Sequence, residues 1–230
     1  MNQIYTLLLV LLLSTPIFSA NITMRSRVNT GFDAVSADSI ALENEYVKVM
    51  RNSAIYSAAN TPGIGTRVIV ALSEVETKGS KGLVRLKRSE VAVFLMNESY
   101  DKPSGEFFEV AFKLEHPPLK APDEWKEPIK NTVVYEDNQL RIFEERLAPG
   151  DTRELHSHAQ RVVVRLNHVQ LTDPRFKPNG SPGGGIQVPN TVKFAEPVVH
   201  VVKNLSKDVP LFNIVIEFKT PHIAGEGLKD

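Results

Sequence analysis

The sequence predicts an all-β chain made of two similar antiparallel barrels or sandwiches in tandem, and three observations carry that prediction. Short runs alternate apolar and polar residues at strand spacing, as in Tyr46-Val47-Lys48-Val49-Met50 and Gly82-Leu83-Val84-Arg85-Leu86. Gly, Pro, Asn and Ser separate these runs, and no long amphipathic helical pattern interrupts them. The runs of the second half return in the order of the first, as in a duplicated domain.

Taken in order, residues 1–20 read as a secretory signal peptide. The apolar run Tyr5 to Leu13 is too short to span a bilayer comfortably, Ser14-Thr15-Pro16 breaks it, and Ser19-Ala20 offers small residues for cleavage. The other reading of the run is an uncleaved anchor. The expectation is a secreted or periplasmic protein with no stable membrane span after cleavage. Lack of any cysteine among 230 residues excludes disulfides and thiolate chemistry, and favours a bacterial periplasm over a eukaryotic secretory route. Asn21-Ile22-Thr23 has the form of a glycosylation acceptor and keeps the second route open. Residues 21 to about 40 are polar and aperiodic, which predicts an extended arm or loop.

Strands are expected at 46–50, 66–72, 82–86, 91–95 and 107–114, giving a first domain over 42–115. His116-Pro117-Pro118 through Pro128 cannot form a central strand, because proline lacks a ladder donor, so 116–133 reads as a connector with Trp125 packing it down. The second domain, 134–219, repeats the first: Asn138–Phe143 matches Tyr46–Met50, Arg161–Leu166 matches Arg67–Leu72, and Ile214–Lys219 matches Glu109–Leu114. Residues 220–230 form a tail.

Lys and Arg total 27, as do Asp and Glu, so no global field argues for nucleic acid as a partner. The Lys78, Lys81, Arg85, Lys87, Arg88 cluster alternates with apolar residues and reads as a solvated sheet face. No phosphate loop, dinucleotide fingerprint or serine-hydrolase elbow is present.

Chemistry concentrates in Pro149-Gly150-Asp151-Thr152-Arg153-Glu154-Leu155-His156-Ser157-His158. Two residues apart on a strand, His156 and His158 point the same way, with Gln160 and Val162 expected to continue the row. Two parallel imidazoles are half of a metal site, or the polar groups of a metal-free pocket, or an incidental exposed pair. His116, His168 and His222 fit no constellation and read as surface residues.

Gly150 ahead of His156-Ser157-His158, followed by His200-Val201-Val202-Lys203-Asn204, resembles the two motifs of the cupin superfamily. Roughly residues 42–219 are similar to a two-cupin chain of tandem double-stranded β-helix (jelly-roll) barrels, with motifs clear only in the second copy; the first copy is degenerate. The resemblance implies one divalent metal ion (Zn, Fe, Mn or Ni) held by His156, His158 and His200. It departs from the family where a carboxylate ligand would fall, at Val162 or Val163. Gln160 is then the expected weak fourth ligand. Either Glu144 or Glu145, on the preceding strand with opposite facings, is expected inside as a catalytic base or replacement ligand. The insert Thr172–Gly185 reads as a lid over the barrel mouth or as plain surface variation. Two functions follow: an enzyme acting on a small polar organic molecule as dioxygenase, isomerase or hydrolase, or a non-catalytic module binding a saccharide or organic acid. Barrels of this kind pair through edge strands, so a homodimer is expected.

Overall fold

Alternation of side chains decides the architecture, because the strands Ile64–Ala71, Val91–Phe94, Phe107–Lys113 and Leu211–Phe218 bury both faces while the hairpin strands Val75–Gly79 and Gly82–Leu86 bury one. In the computed structural model, residues 39–126, 131–173 and 183–219 are described. The expected signal peptide, the Asn21-Ile22-Thr23 site, His222 and the tail lie outside them, as do residues 127–130 of the connector and 174–182 of the insert.

The first half contains β1 (Ser39–Glu43), β2 (Val47–Arg51), β3 (Ile64–Ala71), β4 (Val75–Gly79), β5 (Gly82–Leu86), β6 (Val91–Phe94) and β7 (Phe107–Lys113). Five of these form one antiparallel sheet in the order β1-β2-β7-β3-β6, and β4 pairs with β5 as a hairpin. Val75, Val84 and Leu86 from the hairpin pack with Ile69, Ala71, Ala92, Phe94 and Phe107 of the sheet, closing the interior of this half.

The second half contains β8 (Asn131–Glu136), β9 (Leu140–Leu147), β10 (Thr152–His158), β11 (Arg161–Arg165), β12 (Val169–Asp173), β13 (Gly183–Gln187), β14 (Thr191–Ala195), β15 (Val198–Asn204) and β16 (Leu211–Phe218). They form a five-stranded sheet, β14-β11-β16-β9-β8, and a four-stranded one, β10-β15-β12-β13. Leu147, Val169, Val202 and Leu211 join the two layers. The fold is all-β, as the periodicity predicts, and no helix of the described residues is long and apolar enough to cross a membrane.

The two five-stranded sheets back onto one another. Val68, Val70, Phe108 and Val110 of the first half share a core with Ile142, Val162, Val164, Ile214 and Ile216 of the second. Tyr46 stacks on Phe194 at 5.3 Å and Phe112 meets Phe218 edge-on at 5.2 Å. Arg88 reaches across to the Leu166 carbonyl at 2.8 Å, leaving the expected basic sheet face, while Lys78 and Arg85 remain exposed on it. Each central strand therefore presents alternate residues to this shared core and to its own barrel interior.

The interior of the first half holds charge rather than metal ligands. Glu109 and Arg67 are buried inside it, and the Tyr100 hydroxyl donates to Glu109. Burial pushes the Glu109 carboxyl up to about 7 against the opposing pull of Tyr100, nearby backbone N–H groups and Arg67. A carboxyl raised from its ordinary 4.5 binds its proton more tightly when folded. Stability from this group is thus full below about pH 4.5 and declines as pH rises through 7, by up to about 3 kcal/mol. Glu109→Gln removes that share. Compared with wild type by urea unfolding, the variant should gain stability between pH 4.5 and 7.5; a difference that stays constant across that window counts against the assignment.

Candidate metal centre

The Pro149-Gly150 turn launches the strand that carries the first two histidines. Gly150 sits at φ +77°, where a side chain would be strained, and its N–H donates to the Asn204 carbonyl at 3.0 Å. The Asn204 N–H returns a bond to the Asp151 carbonyl at 2.9 Å, which locks the start of β10 to the end of β15. The Asn204 side chain donates to the carbonyls of Leu147 and Val209 and accepts from Ser206 N–H. This asparagine staples the barrel end; the register then shifts by one residue between Arg153 and His156, and the new register places His156 directly opposite His200.

That register brings the three histidines together. Ring centroids lie 4.8 Å apart for His156 and His158, 4.6 Å for His156 and His200, and 5.5 Å for His158 and His200. One ring nitrogen from each lies within 4.8 Å of the others. Among the described residues this is the one cluster of three or more ligating groups so gathered.

Burial keeps all three imidazoles neutral, as metal binding requires. It lowers His156, lowers His158 well below its ordinary value, and takes His200 down to about 2, with neighbouring imidazoles and Arg161 adding to the shift at His200. The Nδ1 of His156 lies 2.7 Å from the Glu154 carbonyl, an acceptor, so this nitrogen carries the proton. Its Nε2 then carries a lone pair, is buried, and has no hydrogen-bond partner among the described residues. A backbone carbonyl behind an imidazole is the arrangement that orients a metal-binding histidine.

Glu217 stands beside His158, with Oε1 3.4 Å from Nδ1, but the two make no hydrogen bond of the kind that fixes His156. Its Oε1 accepts the Ala159 N–H at 2.7 Å, and burial raises the carboxyl to about 7 despite the neighbouring Arg161. The sequence reading missed Glu217. The available signal was a carboxylate within the apolar run Ile214-Val215-Ile216-Glu217-Phe218 at the end of β16, whose eight residues are all buried. Alternation puts Phe212, Ile214, Ile216 and Phe218 in the shared core and turns Glu217 inward.

Three expectations about the site change. Gln160 does not continue the histidine row, because β10 ends at His158 and the chain bends through Ala159-Gln160 into the other sheet. Its oxygen accepts the Lys120 N–H at 2.8 Å and its nitrogen lies 3.3 Å from Glu196, so this amide pins the connector instead. Val162 faces the shared core, away from the histidines. Glu144 lies opposite Ile214 on the shared-core side and makes a two-pronged bond to Arg146, at 2.7 and 3.1 Å. Glu145 is the inward member of that pair. Burial works to raise its carboxyl, but Arg153 above all, together with His158 and the Asn213 amide, holds it below the usual range. Both oxygens are engaged, by Arg153 at 3.0 Å and Asn213 at 2.7 Å.

A cleft of about 130 Å³ opens onto His200, with Glu145, Arg161, Val163, Arg165 and Lys193 among its walls. His116 and His168 are exposed, as expected. Trp125 is half-buried, and Ser157 ties the connector to β10 through the Lys126 carbonyl at 2.9 Å.

No family model and no curated protein matches this chain. Solved structures to which it is similar include cupins. A Cupin 2 conserved barrel domain protein from Leptotrichia buccalis is 11% identical over 83% of this chain and 92% of its own, with a TM-score of 0.48. A cupin domain from Bordetella pertussis is 22% identical over 46% of this chain and 99% of its own, with a TM-score of 0.35. Bacillus subtilis oxalate decarboxylase, a protein with Mn(II) centres, is 13% identical over 81% of this chain and 78% of its own, with a TM-score of 0.45.

Proposed function

We propose that this chain is an exported tandem cupin whose second barrel binds one divalent metal ion through His156, His158 and His200 and acts on a small polar organic molecule. The observation that carries the reading is the buried Nε2 of His156, freed for a ligand by the bond its other nitrogen makes to the Glu154 carbonyl. A divalent ion held by three neutral imidazoles supplies a Lewis acid, or a redox centre if the metal is iron or manganese, with coordination positions left for substrate.

The chain's own residues supply the remainder. Glu217 lies against His158 and, with its carboxyl near 7, can hold or release a proton at the edge of the trio. Glu145 contributes negative charge that compensates a cation, while its two engaged oxygens keep it from serving as a base. That commitment favours a second reading, in which the barrel captures a ligand without turning it over.

Elemental analysis of purified protein tests the metal assignment. Wild type should carry close to one divalent ion per chain, and a His156→Ala, His158→Ala double variant should retain less than about a tenth of it. Circular dichroism confirms that the variant keeps its strands. Retention of more than half the metal by a folded variant overturns the ligand set.

A further inference from the structure

The cleft beside His200 has a strongly one-sided charge. Three cations, Arg161, Arg165 and Lys193, line it together with one carboxylate, Glu145, which is already paired with Arg153. The three cations follow from register. Arg161 and Arg165 project from the barrel face of β11, and Lys193 lies opposite Val163 between them on β14. Alternate positions on a strand stand about 6.6 Å apart, so the cations form a ladder of about 13 Å running outward from the histidines.

The inner rung is occupied in part: Arg161 donates to the carbonyls of Ala159 and Glu196 at 3.1 and 3.0 Å, and it lies across from Glu217. The outer rungs are not. Arg165 is half-buried and Lys193 exposed, and neither makes a hydrogen bond or ion pair among the described residues; desolvation lowers the Arg165 guanidinium, and desolvation followed by the neighbouring Arg165 and Arg161 lowers the Lys193 ammonium. Adjacent unpaired cations repel one another, and a guanidinium withdrawn from water without a partner is destabilising. An anion entering the cleft meets both charges at once, and planar guanidinium favours a carboxylate through two parallel bonds.

The geometry points to a small organic acid as the ligand of this barrel, its carboxylate held between Arg165 and Lys193 and its other end directed along Arg161 toward His200. The inference rests on the proposed function for the histidine end only. The cation ladder stands whether or not a metal is bound.

Calorimetric titration of the full chain tests it, using succinate, inorganic phosphate and glucose as probes, on metal-loaded protein and on the His156→Ala, His158→Ala variant. Succinate should bind both forms, and an Arg165→Gln, Lys193→Gln double variant should bind it at least ten times more weakly, with an unchanged metal content and a thermal midpoint no lower than that of the parent. Binding to the metal-free variant separates the two ideas: succinate retained there supports the ladder even if the metal assignment fails. Succinate binding no tighter than glucose, or equal binding by the Arg165→Gln, Lys193→Gln variant, overturns the inference. Phosphate bound more tightly than succinate overturns the organic acid as the ligand class.

Discussion

Arg67→Met should leave the first half of the chain unable to hold its fold, with a loss of at least about 4 kcal/mol. Arg67 is buried on β3, 1% exposed, and its two terminal nitrogens donate to four carbonyls: Tyr56 and Ala58 from one loop, Leu95 and Glu98 from another. Its guanidinium also lies 5.6 Å from the Tyr100 ring. Methionine fills much of the space but donates nothing, and each buried acceptor left unmet costs about 1–3 kcal/mol. Two loops that this side chain gathers would come apart together, and a sum of that size rivals the total stability of an ordinary domain. Arg67→Lys should not rescue, since an ammonium is a point charge with three donors and cannot span a fork of four carbonyls. Urea unfolding and soluble yield check this. A variant within about 1 kcal/mol of wild type would show that the loops hold themselves.

Much of this was legible from strand periodicity, and the failures share one cause. Expected strands at 82–86 and 107–114 fall on the observed Gly82–Leu86 and Phe107–Lys113: the first alternates because one of its faces is exposed, and the second is a largely apolar run buried on both faces. The runs Val75–Gly79 and Gly183–Gln187 escaped notice, since each offers a single branched apolar residue to set a period. The histidine trio was legible in two parts: His156 and His158 from spacing, His200 from resemblance to a motif. Register was the weak link. The matched repeats align Glu217 with Phe112, whereas the pairing aligns Arg161 with Glu217 and Arg67 with Ala111, one residue away. A slip of one residue exchanges the two faces of a strand, so the repeat could not show that Glu217 faces the histidines. Gln160 failed for a related reason. Period two holds only within a strand, and a bend between sheets ends it without any glycine or proline to mark the place.

Charge inside the second barrel leads to the other large effect. Arg153, fully buried, donates to Glu145 at 3.0 Å, to the Asn131 side chain at 2.8 Å and to the Arg146 carbonyl at 3.1 Å. Removing one member of a buried ion pair leaves the other charged and unsolvated, a change of about 3–5 kcal/mol. Arg153→Met should therefore destabilise by that amount, and Glu145→Gln by a comparable one. The double variant should cost much less than the sum, because the neutral amide that replaces the carboxylate can still accept from Asn213 while no orphan charge remains. A coupling of about 2 kcal/mol or more is expected from the cycle measured by urea unfolding. Strict additivity would mean that Arg153 acts through Asn131 and Arg146 alone. The same variants address the histidines. Arg153 opposes the charge of a bound cation and Glu145 offsets it, so Glu145→Gln alone should weaken metal retention under competing chelator, while the double variant, having lost both charges, should hold metal nearer to the wild-type level.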